Sequence, residues 1–105
     1  MTTTVLEMVT FERKAEVTDA QWLATNAEVE PFLRQQQGFH YRSLSKDEAG
    51  LWYDVVYWQD MDCAKKASEA FIESDVGKAL CGMINMDSCK MRHMSVEVEM
   101  MGCEG

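Results

Sequence analysis

Between Thr4 and Glu12, apolar residues occupy both alternating sets of positions, Val5, Val9 and Phe11 on one and Leu6 and Met8 on the other. Glu7 is the exception. Apolar residues on both parities predict a strand covered on both faces, at least in part. After Thr18 the period lengthens: Trp22, Asn26, Val29 and Leu33 recur at helical spacing, with Leu23 and Phe32 beside them. This stripe predicts an amphipathic helix. Thr18 opens it as a capping box with Gln21, and Asp19 suits the positive helix end. Pro31 removes one helical hydrogen bond and crowds the preceding turn, so a kink or a restart is expected there. Gly38 is the expected stop.

Two strand-like runs, Phe39 to Lys46 and Leu51 to Gln59, flank Asp47-Glu48-Ala49-Gly50 and predict an antiparallel hairpin. The second run, rich in aromatic and β-branched residues, is the expected central strand. Asp60 or Asp62 then caps a helix with Ala64, Ala67, Ala70 and Phe71 inward, and such an alanine face can sit close to a sheet or leave room above it. A short helical continuation carries Val76, Leu80 and Met83 or Ile84. Cys89 to Glu99 reads as the last strand, with Met94, Val96 and Val98 as its core face and His93 pointing away from it. The order β-α-β-β-α-β predicts an α+β, ferredoxin-like domain: a four-stranded antiparallel sheet with its helices on one face. The other sheet face is apolar in places and needs a partner, so a homodimer through the open face is expected. Residues 1–105 make one domain, with 100–105 a flexible tail.

The charge of −8, from 10 Lys and Arg against 18 Asp and Glu, repels phosphate backbones and anionic membranes. Neither nucleic acid nor a membrane is an expected partner. Met1-Thr-Thr-Thr lacks the basic start and apolar stretch of an export signal, so the expected location is cytoplasmic. Cys63, Cys81, Cys89 and Cys103 are then reduced thiols packed as small hydrophobes. They form no C-x-x-C, and neither His40 nor His93 has a cysteine at zinc-like spacing. No metal and no cofactor are expected.

Several segments together resemble the dimeric α/β-barrel superfamily that includes the antibiotic-biosynthesis monooxygenases. They are Trp22-Leu-Ala-Thr-Asn26, Gln37-Gly-Phe39, Trp52-Tyr-Asp54-Val-Val-Tyr-Trp58, the alanine-rich helix through Ala70-Phe71, and Met91-Arg-His-Met94. The resemblance implies a dimer whose sheets pack face to face, with a pocket in each subunit between helices and sheet. It admits cofactor-independent oxygenases of aromatic polyketides, haem-degrading oxygenases, small isomerases, and members with no assigned activity. The haem-degrading members share an Asn on the first strand and a His on a helix, and this chain has neither.

The residues themselves offer Asn26, Asp54 and His93 as candidates for chemistry. Asn26 lies within an apolar stripe, where an unpaired buried amide costs about 1–3 kcal/mol. It either orients a ligand or makes a structural bond. Asp54 sits among Trp52, Val56 and Trp58, as an acid/base group raised by burial or as an ion-pair partner of Arg42 or Arg92. His93 is a candidate because histidine as a residue type can take up a proton near neutral pH, yet a lone strand His is often only packed. Trp22, Trp52, Trp58 and Phe71 line the expected pocket or simply fill the core. The expected function is a cofactor-independent monooxygenase, or related enzyme, acting on a small aromatic or polyketide-like molecule. The alternatives are a non-catalytic dimer that binds a small hydrophobic ligand or serves a stress response, and a structural dimer with a self-filled pocket.

Overall fold

The computed structural model describes residues 4–100 and 102. Strand β1 (Val5–Arg13) leads through helix α1 (Asp19–Arg34) to the hairpin β2 (Phe39–Lys46) and β3 (Trp52–Trp58). Helices α2 (Met61–Glu73) and α3 (Asp75–Gly82) then precede β4 (Ile84–Ser95). The sheet order is β2-β3-β1-β4 and every pairing is antiparallel. This is the ferredoxin-like arrangement. No helix among the described residues is long and apolar enough to cross a membrane.

Local chemistry sets the element ends. Thr18 Oγ1 accepts from Gln21 N at 3.1 Å while the Gln21 side chain accepts from Thr18 N at 2.9 Å, the reciprocal capping box. Asp60 caps α2 by accepting from Cys63 N. Ser74 caps α3: its hydroxyl accepts from Gly77 N and donates to the Phe71 carbonyl, tying α2 to α3. At the hairpin, one Asp47 carboxylate oxygen accepts from Ala49 N and Leu51 N, and Gly50 supplies the positive φ of 91°.

Three expectations change. Helix α1 runs through Pro31 without restarting, because Pro31 and Ala27, whose carbonyl loses its partner, both lie on the exposed side. It ends at Arg34, and Gly38 (φ 82°) instead turns the chain into β2. The last strand begins at Ile84 and ends at Ser95, where Cys89 to Glu99 was expected. Its opening is hidden in the sequence by an irregularity: four residues, Met86 to Cys89, face the single residue Phe11. Ser88 closes this bulge by accepting from Glu12 N at 2.8 Å and donating to the Asn85 carbonyl at 2.6 Å. Of the expected flexible tail over 100–105, residues 101 and 103–105 lie outside the described residues.

The core face of β4 is also the reverse of the expected one. Glu7 pairs with His93 and Val9 with Met91 across β1 and β4, so His93 and Met91 share the face of Val5 and Phe11, beneath the helices. Met94 pairs with Leu6 and lies on the open face, 37% exposed, while Val98 is beyond the strand and exposed. The core between sheet and helices is built on Val5, Phe11, Trp22, Val29, Val56, Trp58, Ala64, Ala67, Leu80 and Ile84. Leu6, Met8, Val55, Tyr57, Tyr41 and Met94 fall on the opposite face by register, where the Tyr41 and Tyr57 rings sit 6.2 Å apart.

Candidate functional site

A cavity of about 180 Å³ lies between the sheet and the helices. The sheet contributes Glu7, Val9 and Phe11 from β1, Arg42 from β2, Asp54, Val56 and Trp58 from β3, and Cys89 and Met91 from β4. Helix α1 adds Val29, Phe32 and Leu33, while Ala67 and Phe71 of α2 and Leu80 of α3 complete the apolar wall. Ala67 helps leave this room, since an alanine fills little of the layer above the strands. Phe32 and Phe71 meet edge to face at 5.4 Å, and Phe39 supports Trp58 at 5.8 Å. Ile72, Met86 and Met91 line the cavity while staying exposed, so they border its opening.

Among the described residues, the charged groups that line the cavity are confined to the sheet wall. Arg42 and Asp54 form a bidentate pair, with Nε donating to Oδ1 at 3.0 Å and Nη2 to Oδ2 at 2.8 Å. Nη2 also donates to Asn26 Oδ1 at 2.9 Å, and Asn26 Nδ2 donates to the Trp22 carbonyl of its own helix. Asn26 thus makes structural bonds behind Arg42 and is not among the cavity-lining residues. Arg42, one of the two partners the sequence offers Asp54, wins by register, because Arg92 lies on the other sheet face with Met8. Both oxygens of Asp54 are engaged.

The second charged group is Glu7, whose Oε1 meets His93 Nε2 at 3.2 Å. Burial pushes the Glu7 carboxyl above its ordinary range, the charge of Asp54 adds to this, and His93 opposes it. The Trp58 indole N–H lies near enough to Glu7 to favour its charged form, yet makes no hydrogen bond of good geometry. Trp58 Nε1 is therefore a buried donor without a partner among the described residues, in the wall of the cavity.

Of the residues the sequence singles out, Asp54, Trp58 and Phe71 line the cavity. Trp22 and Trp52 do not. Trp22 packs against Phe11 at 5.7 Å and Trp52 at 5.3 Å, and Arg13 and Lys46 lie over the Trp52 ring, so these two tryptophans build one end of the core. His93 reaches the site only through Glu7. Glu7 and Arg42 are lining residues that the sequence reading passed over as candidates, although Glu7 stood out as the one charge among Val5, Val9 and Phe11. Among the described residues no three His, Cys, Asp or Glu side chains converge as metal ligands.

Glu7 predicts a pH dependence. A carboxyl raised above its ordinary 4.5 in the folded state contributes stability that is complete below about pH 4.5 and is lost as pH climbs through the raised value. Glu7→Gln removes that loss. Urea titrations across pH should show the variant gaining on the wild type as pH rises from about 4.5 toward neutrality. A gap that stays constant with pH would show that Glu7 is not the responsible group.

The fold and cavity define a small α+β pocket protein of the ferredoxin-like class. No family model matches the sequence, and no curated protein matches it significantly. Solved structures do share the fold. A variant of SnoaB, a cofactor-independent oxygenase from Streptomyces nogalater, superposes with a TM-score of 0.74 at 16% identity, covering 91% of this chain and 95% of that one. A Bordetella bronchiseptica protein provisionally named an antibiotic biosynthesis monooxygenase gives 0.73 at 16% identity, covering 91% and 99%. Rv0793 from Mycobacterium tuberculosis gives 0.68 at 13% identity, covering 91% and 97%. The chain has the fold of the antibiotic-biosynthesis monooxygenase group.

Proposed function

We propose that this protein is a cofactor-independent monooxygenase of a small aromatic molecule. The observation that carries the reading is an apolar chamber between sheet and helices, with all its charges on one wall and an unpartnered indole N–H beside them. An engineered cavity of about 150 Å³ takes up benzene. The 180 Å³ here accordingly suits a single ring, and any further part of a polyketide-like ligand would project past Ile72, Met86 and Met91.

An electron-rich phenol suits such a chamber. Once its hydroxyl proton is removed, negative charge spreads to the ring carbons ortho and para to the oxygen. One of these carbons reduces dioxygen and bonds to it, and loss of water from the resulting hydroperoxide leaves a second ring carbonyl. Phenol plus O2 gives quinone plus water, with one oxygen atom in each product. The protein's part is to take the proton, exclude water and stabilise the oxyanion. Trp58 Nε1–H supplies a donor, Arg42 a positive charge held in place by Asp54 and Asn26, and Phe32 and Phe71 the flanking faces. The apolar open face supports a homodimer, with Leu6, Met8, Val55 and Tyr57 at the contact.

The test is turnover of electron-rich single-ring phenols under ¹⁸O2, followed by an oxygen electrode and mass spectrometry. One labelled atom per quinone is expected, with O2 uptake matching product. Saturable binding without O2 uptake would replace this reading with that of a non-catalytic ligand carrier, which the small volume of the chamber also accommodates.

A further inference from the structure

Among the described residues two carboxylates line the chamber, and they stand in different states. Asp54, the acid that the sequence puts forward, has each oxygen bonded to Arg42. Glu7 has one oxygen on His93, and its Oε2 makes no hydrogen bond among the described residues. A carboxylate locked in a bidentate pair cannot accept a proton without breaking that pair. Glu7 can accept one at Oε2. The Trp58 N–H, which makes no hydrogen bond of good geometry among the described residues, lies beside the same carboxyl. A hydroxyl oxygen placed there would accept from Trp58 Nε1 and donate to Glu7.

We propose that Glu7 is the proton acceptor of this chamber, that His93 positions it, and that the ligand it selects is a neutral single-ring phenol or enol. The inference rests on the chamber being the ligand site. In the step, the ligand O–H bond breaks, its electron pair stays on oxygen, and the proton passes to Glu7 Oε2. Glu7 becomes the neutral acid and the ligand the phenolate, so the net charge of the site is unchanged. The Trp58 N–H and the Arg42 guanidinium face the developing oxyanion. A ligand that arrives as a carboxylate would meet Glu7 as a like charge and be refused.

The groups around Glu7 suit this role. His93 faces it from β4, Asp54 and Trp58 from β3, and Arg42, neutralised by Asp54, from β2. The helices send no charged side chain into the chamber; their contributions are apolar residues, Ser68 and the Cys81 thiol. Burial raises the Glu7 carboxyl above its ordinary range, which makes its carboxylate a stronger base. His93 Nε2 holds Glu7 Oε1 at 3.2 Å, and Oε2 makes no hydrogen bond among the described residues.

The experiment uses the full chain with resorcinol (1,3-dihydroxybenzene) in D2O, without oxygen. Proton removal from resorcinol makes its ring carbons basic, and their C–H hydrogens exchange with solvent. Proton NMR reads this exchange, and quenching of tryptophan fluorescence reads binding. The wild type should bind saturably and speed the exchange, and Glu7→Gln should slow it about 100-fold while still binding. Trp58→Phe keeps the ring but removes the donor, and should weaken binding about tenfold. His93→Gln should shift the pH profile of exchange while leaving binding in place. Binding by the wild type with no exchange, or equal exchange in Glu7→Gln, would overturn Glu7 as the acceptor and leave the chamber as a ligand site. No binding of resorcinol by the wild type would overturn the chamber reading as well.

Discussion

Alanine at Gly77 should destabilise the protein by on the order of 3–5 kcal/mol, the range reserved for changes that force backbone apart. Gly77 is buried in the first turn of α3, and a Cβ there would run into the Phe71 carbonyl, with Ser74 Oγ close behind. Both atoms belong to the bond network that joins α2 to α3. Neither can yield without breaking the cap. Gly82 ends the same helix, and a Cβ on it meets nothing within 4 Å. There alanine should be neutral or stabilise by up to about 1 kcal/mol, since it removes the entropic cost of glycine in a helix. Thermal unfolding should therefore separate the two variants, with Gly77→Ala falling by about 15 °C or more and Gly82→Ala unchanged or slightly raised. Matching melting temperatures would show that the α2–α3 junction is loose enough to absorb the methyl group.

Removing Arg42 should be nearly as damaging. The Asp54 side chain is 15% exposed and its two oxygens depend on the one guanidinium, which also satisfies Asn26. Breaking such a pair from one side strands a charge, at a cost of about 3–5 kcal/mol for fully buried groups. The lower end applies here, because some water reaches the pair. Arg42→Met should thus lose about 3 kcal/mol in denaturant titrations, and adding Asp54→Leu should recover most of it. A loss below about 1 kcal/mol for the single variant would show that the pair orders the wall without holding it. The double variant would also separate stability from the proposed function, since it removes the cation of the proposed site while keeping Glu7.

The parts of this molecule written in local chemistry were readable from the chain. The Thr18–Gln21 box, the Asp60 cap, the Asp47–Gly50 turn and the aromatic central strand each depend on residues within a few positions of one another. What failed was the choice between faces. A sheet with apolar residues on both sides offers no alternation to decide which parity points inward. In β4, Met94, Val96 and Val98 looked like a core stripe, although Met94 belongs to the open face and Val98 lies past the pairing. That one inversion turned His93 outward in the reading, and with it went the link to Glu7. The charge at Glu7, on the same side as Val5 and Phe11, was the available signal. Asp54 drew attention because its neighbours are aromatic, yet its state depends on Arg42, and only the register of β2 on β3 selects that partner.

The surplus of residues in β4 opposite Phe11 has a consequence for how such a protein can change. Because Ser88 seals the excess into the strand, the number of residues between Asn85 and Lys90 is uncoupled from the pairing that follows. Lengthening or shortening this stretch would reshape the threshold where Met86 stands without sliding His93 off Glu7. On the proposed function, ligand preference and proton chemistry thereby occupy separately adjustable parts of one strand, and a lineage, or an engineer, can vary the first while inheriting the second intact.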